Sequence, residues 1–361
     1  MKRLILLLIG IFIITSCVAK TKKKENQDVP EDAENLVSLV AFGDNLVHGT
    51  IYASAKTQDT YDFHPIFIDI KPYLENFDLR FINQETILGG VELGLSTYPA
   101  FNTPQEMGDA LIDAGFNLIS LANNHTLDRG EKAIINSVNY WNSKDVIHSG
   151  SVLNPDESQV RIFETNGIKF AFVAYTYGTN GILHPAGKTY LANVYSDEKA
   201  KSDFKIRDFV DVFIVSMHWG EEYQDLPNET QIKQAKYLSA LGADVIIGHH
   251  PHVIQPVDLI ENEERKTFVM YSLGNFLSDQ IGIDRLIGMG ASLDIKKDKD
   301  GNINLENFQA KLLYRYKNYN ENSFRLLFFE DLSNDFFKDY AIYFSEKEAL
   351  IKYYFQNITV T

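Results

Sequence analysis

The chain has 361 residues, which is enough to bury one large core or two moderate ones. Hydrophobic residues make up 45% and charged residues 23%, a balance that excludes a disordered or fibrous protein. The formal net charge of −15 argues against nucleic acid as a partner, because binding to its phosphate backbone depends on clustered lysine and arginine.

Residues 1–16 resemble the signal peptide of a bacterial lipoprotein. A basic start at Lys2 and Arg3 precedes an apolar run over 4–14, which is too short to span a bilayer comfortably. Cys17 follows and is the only cysteine, so a disulfide within the chain is excluded. We expect palmitate on Cys17 and a cell membrane lipoprotein that faces outside the cytoplasm. An ordinary signal peptide, or an uncleaved anchor with an incidental cysteine, is the alternative.

Residues 17–35 are predicted to form a solvated tether, because they show no apolar periodicity. The lysine-rich stretch over 20–24 could also contact anionic lipid head groups beside the anchor. The remaining chain, 36–361, is predicted to be a single domain with a C-terminal hairpin and helical extension, because no repeat or clean linker divides it.

From Leu36 onward, short apolar runs alternate with segments of helical periodicity. The first part of this pattern predicts, in chain order, strand Leu36–Phe42, helix Pro65–Asn76, strand Leu79–Ile82, helix Thr103–Ala114, strand Asn117–Leu121 and helix Gly130–Ser143. The Thr103 hydroxyl is predicted to cap the second helix, with Pro104 in its first turn and Gly115 at its end.

The second part begins with a hairpin, since Asn166-Gly167 is a strong two-residue turn signal between apolar runs. The predicted elements are, in chain order, strands Val160–Thr165, Ile168–Tyr175 and Phe209–Ser216, helix Glu229–Leu241, strands Ala243–Ile247 and Thr267–Tyr271, a late hairpin of Ser292–Ile295 with Asn304–Tyr314, and a helical segment over Asp331–Tyr354. Strands that alternate with helices indicate a layered α/β protein.

Five of the predicted strands end in polar residues that commonly ligate metals. These residues are Asp44, Asn83 with Glu85, Asn124 with His125, His218, and the cluster His249, His250 and His252. Because sites in open α/β sheets form beyond the carboxyl ends of strands, we expect these side chains to converge. Nitrogen and oxygen ligands without sulfur suit Mn, Fe, Zn or Co. One or two divalent ions are predicted, with Glu85 or Asp44 as a possible bridge between two.

Each cluster taken alone also has a purely structural explanation. Asp44 follows a glycine in an ordinary turn signal, and His218 could be a core histidine with satisfied hydrogen bonds. Asn83 and Asn124 could cap helices, Glu85 could be a surface charge, and Asp128 could cap the helix that starts at Gly130. None of these explanations predicts that the same kind of residue follows strand after strand, so the shared placement favours a metal site.

The motifs together resemble the CapA family of bacterial capsule or poly-γ-glutamate synthesis proteins over about 37–276. The matching motifs are Gly43-Asp44, Asn83-x-Glu85, Asn123-Asn124-His125-x-x-Asp128-x-Gly130, His218-Trp219-Gly220, Gly248-His249-His250-Pro251-His252-Val253 and Ser272-Leu273-Gly274-Asn275-Phe276. That family is in turn similar to the calcineurin-like metallophosphoesterases. The resemblance implies a layered α/β/β/α sandwich and attachment to the outer face of the membrane.

The resemblance also implies a role for each motif residue. Glu85 stands at the position of a metal-bridging carboxylate, and Asn124-His125 resembles a pair in which Asn ligates metal and His donates a proton near the leaving oxygen. The implied metal ligands are Asp44, Glu85, Asn124, His218, His250 and His252, and possible additional residues are Asn83, Asp128, His249 and His48. His125 is the implied catalytic acid.

The chain departs from the pattern of the related phosphoesterases at the end of its first strand. Their usual first motif is Asp-x-His, but Leu46 occupies the position of the histidine. His48 lies four positions after Asp44 and is the candidate replacement. The bridging position also differs, because Glu85 stands where those proteins have an aspartate.

Two functions from different classes are compatible with these residues. The first is a metal-dependent hydrolase of a phosphate ester or related bond, with His125 protonating the leaving group. The second is a non-catalytic accessory factor that uses the metal site to bind an anionic polymer or a polymer synthase complex at the membrane.

Overall fold

The computed structural model describes residues 35–262 and 265–361. The predicted signal peptide over 1–16, the predicted lipidation at Cys17 and all of the predicted tether except Asn35 lie outside the described residues. Within the described ranges, no helix combines the length and the apolar character needed to cross a membrane.

The described residues form strands in two sheets. In chain order the strands are β1 (Asn35–Asn45), β2 (Leu79–Asn83), β3 (Leu118–Ser120), β4 (Ile147–Ser149), β5 (Arg161–Thr165), β6 (Ile168–Thr176), β7 (Val212–His218), β8 (Val245–His249), β9 (Val257–Glu261), β10 (Lys266–Met270), β11 (Asn275–Leu277), β12 (Ile287–Lys297), β13 (Ile303–Asn318), β14 (Ser323–Phe328) and β15 (Thr359–Val360). The first sheet has the order β14-β13-β12-β1-β2-β3-β4, with β11 beside β1 and β15 beside β13. The second has the order β5-β6-β7-β8-β10-β9.

Helices cover the outer faces of both sheets. In chain order the helices are α1 (Gly49–Ser54), α2 (His64–Phe67), α3 (Lys71–Leu74), α4 (Glu106–Ala114), α5 (Gly130–Asn142), α6 (Asp197–Asp203), α7 (Glu229–Leu241) and α8 (Tyr340–Ile351). Between the sheets, the ring centroids of Phe81 and Phe172 lie 6.1 Å apart. On the outer faces, Phe42 shares an apolar cluster with Leu111 of α4, and the second sheet shares one with Leu238 of α7. The predicted α/β/β/α layering is confirmed.

Two of the local predictions, a helix and a hairpin turn, are confirmed. Helix α7 begins and ends at the predicted residues, and Asn228 and Gln231 form a reciprocal capping box at its start. The hairpin of β5 and β6 turns at Asn166 and Gly167, whose φ angles of 50° and 76° are the left-handed values that this type of turn requires. Both features depend on residues only a few positions apart.

Other local predictions are wrong. The single helix predicted over Pro65–Asn76 is two short helices, α2 and α3, because Pro72 opens the second and cannot continue the hydrogen-bond ladder of the first. Thr103 does not cap α4, since its hydroxyl donates to Thr86 Oγ1 at 2.9 Å. Phe209 is 70% exposed and lies before β7, which starts at Val212. In the C-terminal segment only α8 is helical, apart from a short 3₁₀ turn at its start.

A buried histidine on β4, a strand absent from the sequence predictions, makes the stability of the fold sensitive to acid. His148 is 5% exposed, and burial lowers its pKa to about 4, with a smaller contribution from Arg161. Because this value lies below the unfolded pKa of about 6.5, the stabilisation is complete above that pH and is lost as the pH falls towards 4.

We therefore expect His148→Gln to flatten the acid dependence of folding. As the pH falls, the free energy of unfolding should decrease more steeply in the wild type than in the variant. The difference in slope should be about 1.4 kcal/mol per pH unit, because unfolding of the wild type takes up one more proton. Glutamine retains a donor towards Asn142 Oδ1, which lies 2.9 Å from His148 Nε2. Urea unfolding at several pH values between neutral and mildly acid measures the slope, and equal slopes for both proteins would contradict the prediction.

Candidate metal centre

The predicted ligands converge where strands of the two sheets end. In the first sheet β1, β2 and β3 are parallel neighbours, and in the second sheet β7 and β8 are parallel neighbours. Asp44 lies near the end of β1 and Asn83 ends β2, while His218 and His249 end β7 and β8. The remaining residues of the centre, which all follow a strand end in sequence, are Glu85, Asn124, His250 and His252. All eight side chains are buried.

Four groups of side chains place ligand atoms close enough to hold an ion. The groups are Asp44-His218-His249, Glu85-His218-His250, Asp44-Glu85-His252 and Glu222-His250-His252, and within each group the ligand atoms lie within 4.8 Å of one another. Glu85 belongs to one group with His218 and His250 and to another with Asp44 and His252. A carboxylate shared in this way is the arrangement expected of a bridge between two neighbouring cations.

The carboxylate of Glu85 provides the test of whether a cation fits. Both of its oxygens are buried without a hydrogen-bond partner, and Oε1 lies 3.8 Å from His218 Nε2 and 3.7 Å from His252 Nε2. Burial, together with the nearby charge of Asp44, raises the pKa of Glu85 well above its ordinary value. A buried carboxylate without a partner is costly, and a divalent cation among these atoms would satisfy it.

Asp44 is held as a carboxylate by donors on three sides. Its Oδ1 accepts from Asn83 Nδ2 at 2.8 Å, and its Oδ2 accepts from the backbone N–H of His250 at 3.2 Å. His252 Nδ1 lies 3.0 Å from Oδ2. Burial opposes ionisation, but the hydrogen bond with His252 and the charges of the neighbouring histidines lower the pKa of Asp44 overall. Asn83 therefore positions Asp44, and its own Oδ1 remains buried without a partner.

Three side chains form a hydrogen-bonded chain behind His218. His218 Nδ1 lies 2.8 Å from His249 Nδ1, and His249 Nε2 lies 2.6 Å from Ser216 Oγ. If a cation binds His218 Nε2, the ring proton of His218 must lie on Nδ1, which then donates a hydrogen bond to His249 Nδ1. His249 in turn carries its proton on Nε2 and donates a hydrogen bond to Ser216 Oγ. Such contacts orient ligating histidines and set their tautomer. His249 is therefore best placed to orient His218, although it also belongs to one of the four groups.

Asn124, His218 and His250 supply further candidate ligand atoms. Asn124 Oδ1 lies 2.9 Å from His218 Nε2. The Nδ1 atom of His250 is buried and has no partner, and burial lowers the pKa of His250 to about 3. Burial likewise lowers the pKa of His218 well below its ordinary value. These imidazoles therefore stay neutral near pH 7, which is the form that binds metal.

His125 lies beside the centre but in none of the four groups. Its Nδ1 is 2.7 Å from Asp128 Oδ2, which also accepts from the backbone N–H of Phe101 at 2.8 Å. The rings of His125 and Phe101 meet edge to face at 4.8 Å. Asp128 therefore orients His125 and leaves Nε2 available. It does not cap α5, whose cap residue is Arg129 without a side-chain hydrogen bond.

The end of β1 does not bring His48 to the centre. Leu46 is 2% exposed and offers no ligand atom at the position where the related phosphoesterases have a histidine. His48 Nδ1 lies 3.0 Å from Leu46 O, and His48 is in none of the four groups. Burial lowers the pKa of His48 to about 4. The centre is therefore one histidine short of the related pattern.

Comparison with known proteins agrees with the motifs. The sequence model of the bacterial capsule synthesis protein PGA_cap matches residues 38–280, more than half of the chain. The chain belongs to this family. The matched PGA_cap region contains every residue of the metal centre, from Asp44 to His252, together with Asn275. The resemblance to CapA proteins is thereby confirmed.

Two curated relatives of this PGA_cap chain carry CapA names. The chain is 30% identical over 190 residues to the PGA biosynthesis protein CapA of Bacillus subtilis (strain 168), covering 49% of this chain and 47% of that protein. It is 27% identical over 276 residues to the capsule biosynthesis protein CapA of Bacillus anthracis, covering 74% of this chain and 64% of that protein. The chain therefore spans less than two thirds of the length of either relative.

One solved structure of similar architecture is the calcineurin-like phosphoesterase YfkN from Bacillus subtilis. The TM-score is 0.45 at 14% identity, and the overlap covers 78% of this chain and 91% of that one.

Several residues of the PGA_cap site were not predicted from the sequence. Glu222 lies four positions after His218 and enters one of the four groups. Asn275 belongs to a motif that was noted, but its contact with His252 Nδ1 at 3.1 Å is visible only in the structure. Tyr177 lies over His250, with ring centroids 4.8 Å apart. The sequence signals for these residues are the position of Glu222 after the His218 motif and the position of Asn275 within a motif of its own.

Proposed function

We propose that this chain is a metal-dependent hydrolase that acts in capsule or poly-γ-glutamate synthesis or export. The reaction proposed is cleavage of a phosphate ester or a related bond. The observation that carries the proposal is the buried carboxylate of Glu85, which has no hydrogen-bond partner and is shared by two groups of potential ligands. Membership of the PGA_cap family supports the place of that reaction in capsule synthesis.

Two neighbouring cation positions are proposed. Asp44, Glu85 and His252 would hold the first ion, and Glu85, Asn124, His218 and His250 would hold the second. A ligand set of nitrogen and oxygen favours Mn, Fe, Zn or Co. When bound, such ions supply Lewis-acid activation of water and of the bond to be cleaved.

His125 is the proposed general acid. It is close enough to His218 and His250 to contribute to the lowering of their pKa values, and its Nε2 remains available. Asp128 Oδ2 lies 2.7 Å from the opposite ring nitrogen, Nδ1, so the ring is oriented. A proton from Nε2 would pass to the leaving oxygen.

The rim of the centre carries a cation suited to an anionic substrate. The guanidinium of Arg285 stacks on the ring of Tyr223 at 4.0 Å, and within the described residues it forms no ion pair. Asn275 ties this segment to the centre, because it donates to Arg285 O at 3.0 Å while its Oδ1 faces His252. The half-buried guanidinium of Arg285 offers a fork of N–H donors, which is suited to carboxylate or phosphate oxygens.

We expect Arg285→Ala to raise KM for an anionic substrate by about 10–100-fold, through loss of charge-assisted hydrogen bonds. The kcat value should change much less, because Arg285 lies outside the four groups of potential ligands. Arg285→Lys retains the charge and serves as the matched control, with an intermediate KM. Steady-state kinetics separate the two constants, and an unchanged KM in the alanine variant would contradict this role.

A second candidate function is a non-catalytic accessory factor. The observation that favours it is Leu46, which removes one ligand from the first cation position. In this case the metal centre binds an anionic polymer or joins a polymer synthase complex without cleaving a bond. For either function we propose attachment to the outer face of the cell membrane through a lipid on Cys17.

Metal analysis and hydrolysis assays test the proposal together. The purified protein should contain one or two divalent ions per chain and should hydrolyse a generic phosphodiester such as bis(p-nitrophenyl) phosphate when Mn²⁺ or Co²⁺ is added. A protein that binds no metal would contradict both candidate functions. A protein that binds metal but does not hydrolyse such substrates would favour the accessory factor.

A further inference from the structure

Glu222 lies on the open side of the metal centre. It is exposed, yet one of its oxygens lies within 4.8 Å of ligand atoms of both His250 and His252. These two histidines belong to different cation positions, because His250 is grouped with His218 and His252 is grouped with Asp44. Glu222 therefore faces both positions at once.

Two backbone hydrogen bonds hold the loop of Glu222 against the histidine loop. The N–H of Trp219 donates to His249 O at 3.1 Å, and the N–H of Tyr223 donates to Pro251 O at 2.8 Å. The indole of Trp219 also donates to Tyr271 O at 2.9 Å. Because both ends of this short segment are anchored, the backbone at Glu222 is held close to the histidine loop.

One of the two histidines beside Glu222 has a ring nitrogen without a hydrogen-bond partner. Leu46 supplies no ligand to the first cation position, and His250 Nδ1 is buried without a hydrogen-bond partner. A carboxylate is a ligand that suits Mn, and with histidines it also suits Fe. The exposed carboxylate is also free of the desolvation cost that a further buried acid would carry.

We propose that Glu222 is a further metal ligand of this centre, beside His250 and His252. This inference rests on the metal centre proposed above and adds to it a coordinating residue from the loop that follows β7. Glu222 approaches from the solvent side, whereas Glu85 lies buried beneath the same histidines. The centre would then be closed by carboxylates on two sides.

The experiment compares Glu222→Gln with Glu221→Gln in the purified protein. Glu221 is the neighbouring exposed acid, it is in none of the four groups, and its replacement removes the same charge. Titration of the metal-free proteins with Co²⁺ by calorimetry gives the number of sites and their affinities. The visible absorption of bound Co²⁺ reports the ligand set independently of any activity.

Glu222→Gln should weaken one Co²⁺ site by about tenfold or more and change the Co²⁺ absorption spectrum, while Glu221→Gln should behave as the wild type. Glu222→Asp should restore part of the affinity. Equal affinities and spectra for wild type and Glu222→Gln would overturn the role of Glu222 and leave the metal centre standing. A wild-type protein that binds neither Co²⁺ nor Mn²⁺ would overturn both proposals.

Discussion

Glu85→Gln is expected to abolish metal binding at both cation positions and to lower the rate of phosphodiester hydrolysis by about a thousandfold. Glu85 belongs to two of the ligand groups, and neither of its carboxylate oxygens has a hydrogen-bond partner, so its loss disrupts both groups. Elemental analysis after extensive dialysis measures the first effect, and initial rates at saturating Mn²⁺ measure the second.

The same substitution should stabilise the metal-free protein. Burial and the charge of Asp44 raise the pKa of Glu85 in the folded protein above its value in the unfolded protein. At any pH above the unfolded pKa, ionisation of Glu85 therefore favours the unfolded state. Glutamine carries no charge, and the free energy of unfolding near neutral pH should rise by about 1–3 kcal/mol. A variant that loses metal but gains stability identifies a binding residue, whereas a fall in metal-free stability would show that Glu85 supports the fold.

His125→Gln should lower hydrolysis by about 10²–10⁴-fold while metal content stays unchanged. The reason is that His125 lies in none of the four ligand groups, yet is oriented by Asp128 towards the centre. Asp128→Asn should have a smaller effect of about 10–100-fold, because the ring remains but its orientation is weakened.

The His125 variant also separates the two candidate functions. If the protein is a hydrolase in polymer synthesis, His125→Gln should abolish both hydrolysis and surface polymer in cells that depend on this chain. If it is an accessory factor, polymer should persist in His125→Gln and disappear in Glu85→Gln, which removes the metal. Matching losses of metal in the two variants would contradict the proposed role of His125.

Much of the architecture was predictable because its signals are local. The cap at Asn228 and the turn at Asn166-Gly167 involve residues within a few positions of one another. Apolar runs followed by polar residues located the ends of β1, β2, β7 and β8. Periodicity, by contrast, did not separate α2 from α3, and it missed short strands such as β4 and β11, whose stability comes from pairing with distant neighbours.

The sequence by itself determined the kind of ligands that this protein offers, their placement after strands and the family to which they point. Only the tertiary structure decided how they are grouped, because the decisive contacts join distant parts of the chain. Asp44 and His252, 208 positions apart, meet at 3.0 Å, while His48, close in sequence to Asp44, lies outside the four groups. Separation along the chain does not predict such contacts, because they depend on how the two sheets pack against each other. The same packing placed Glu222 beside the histidines.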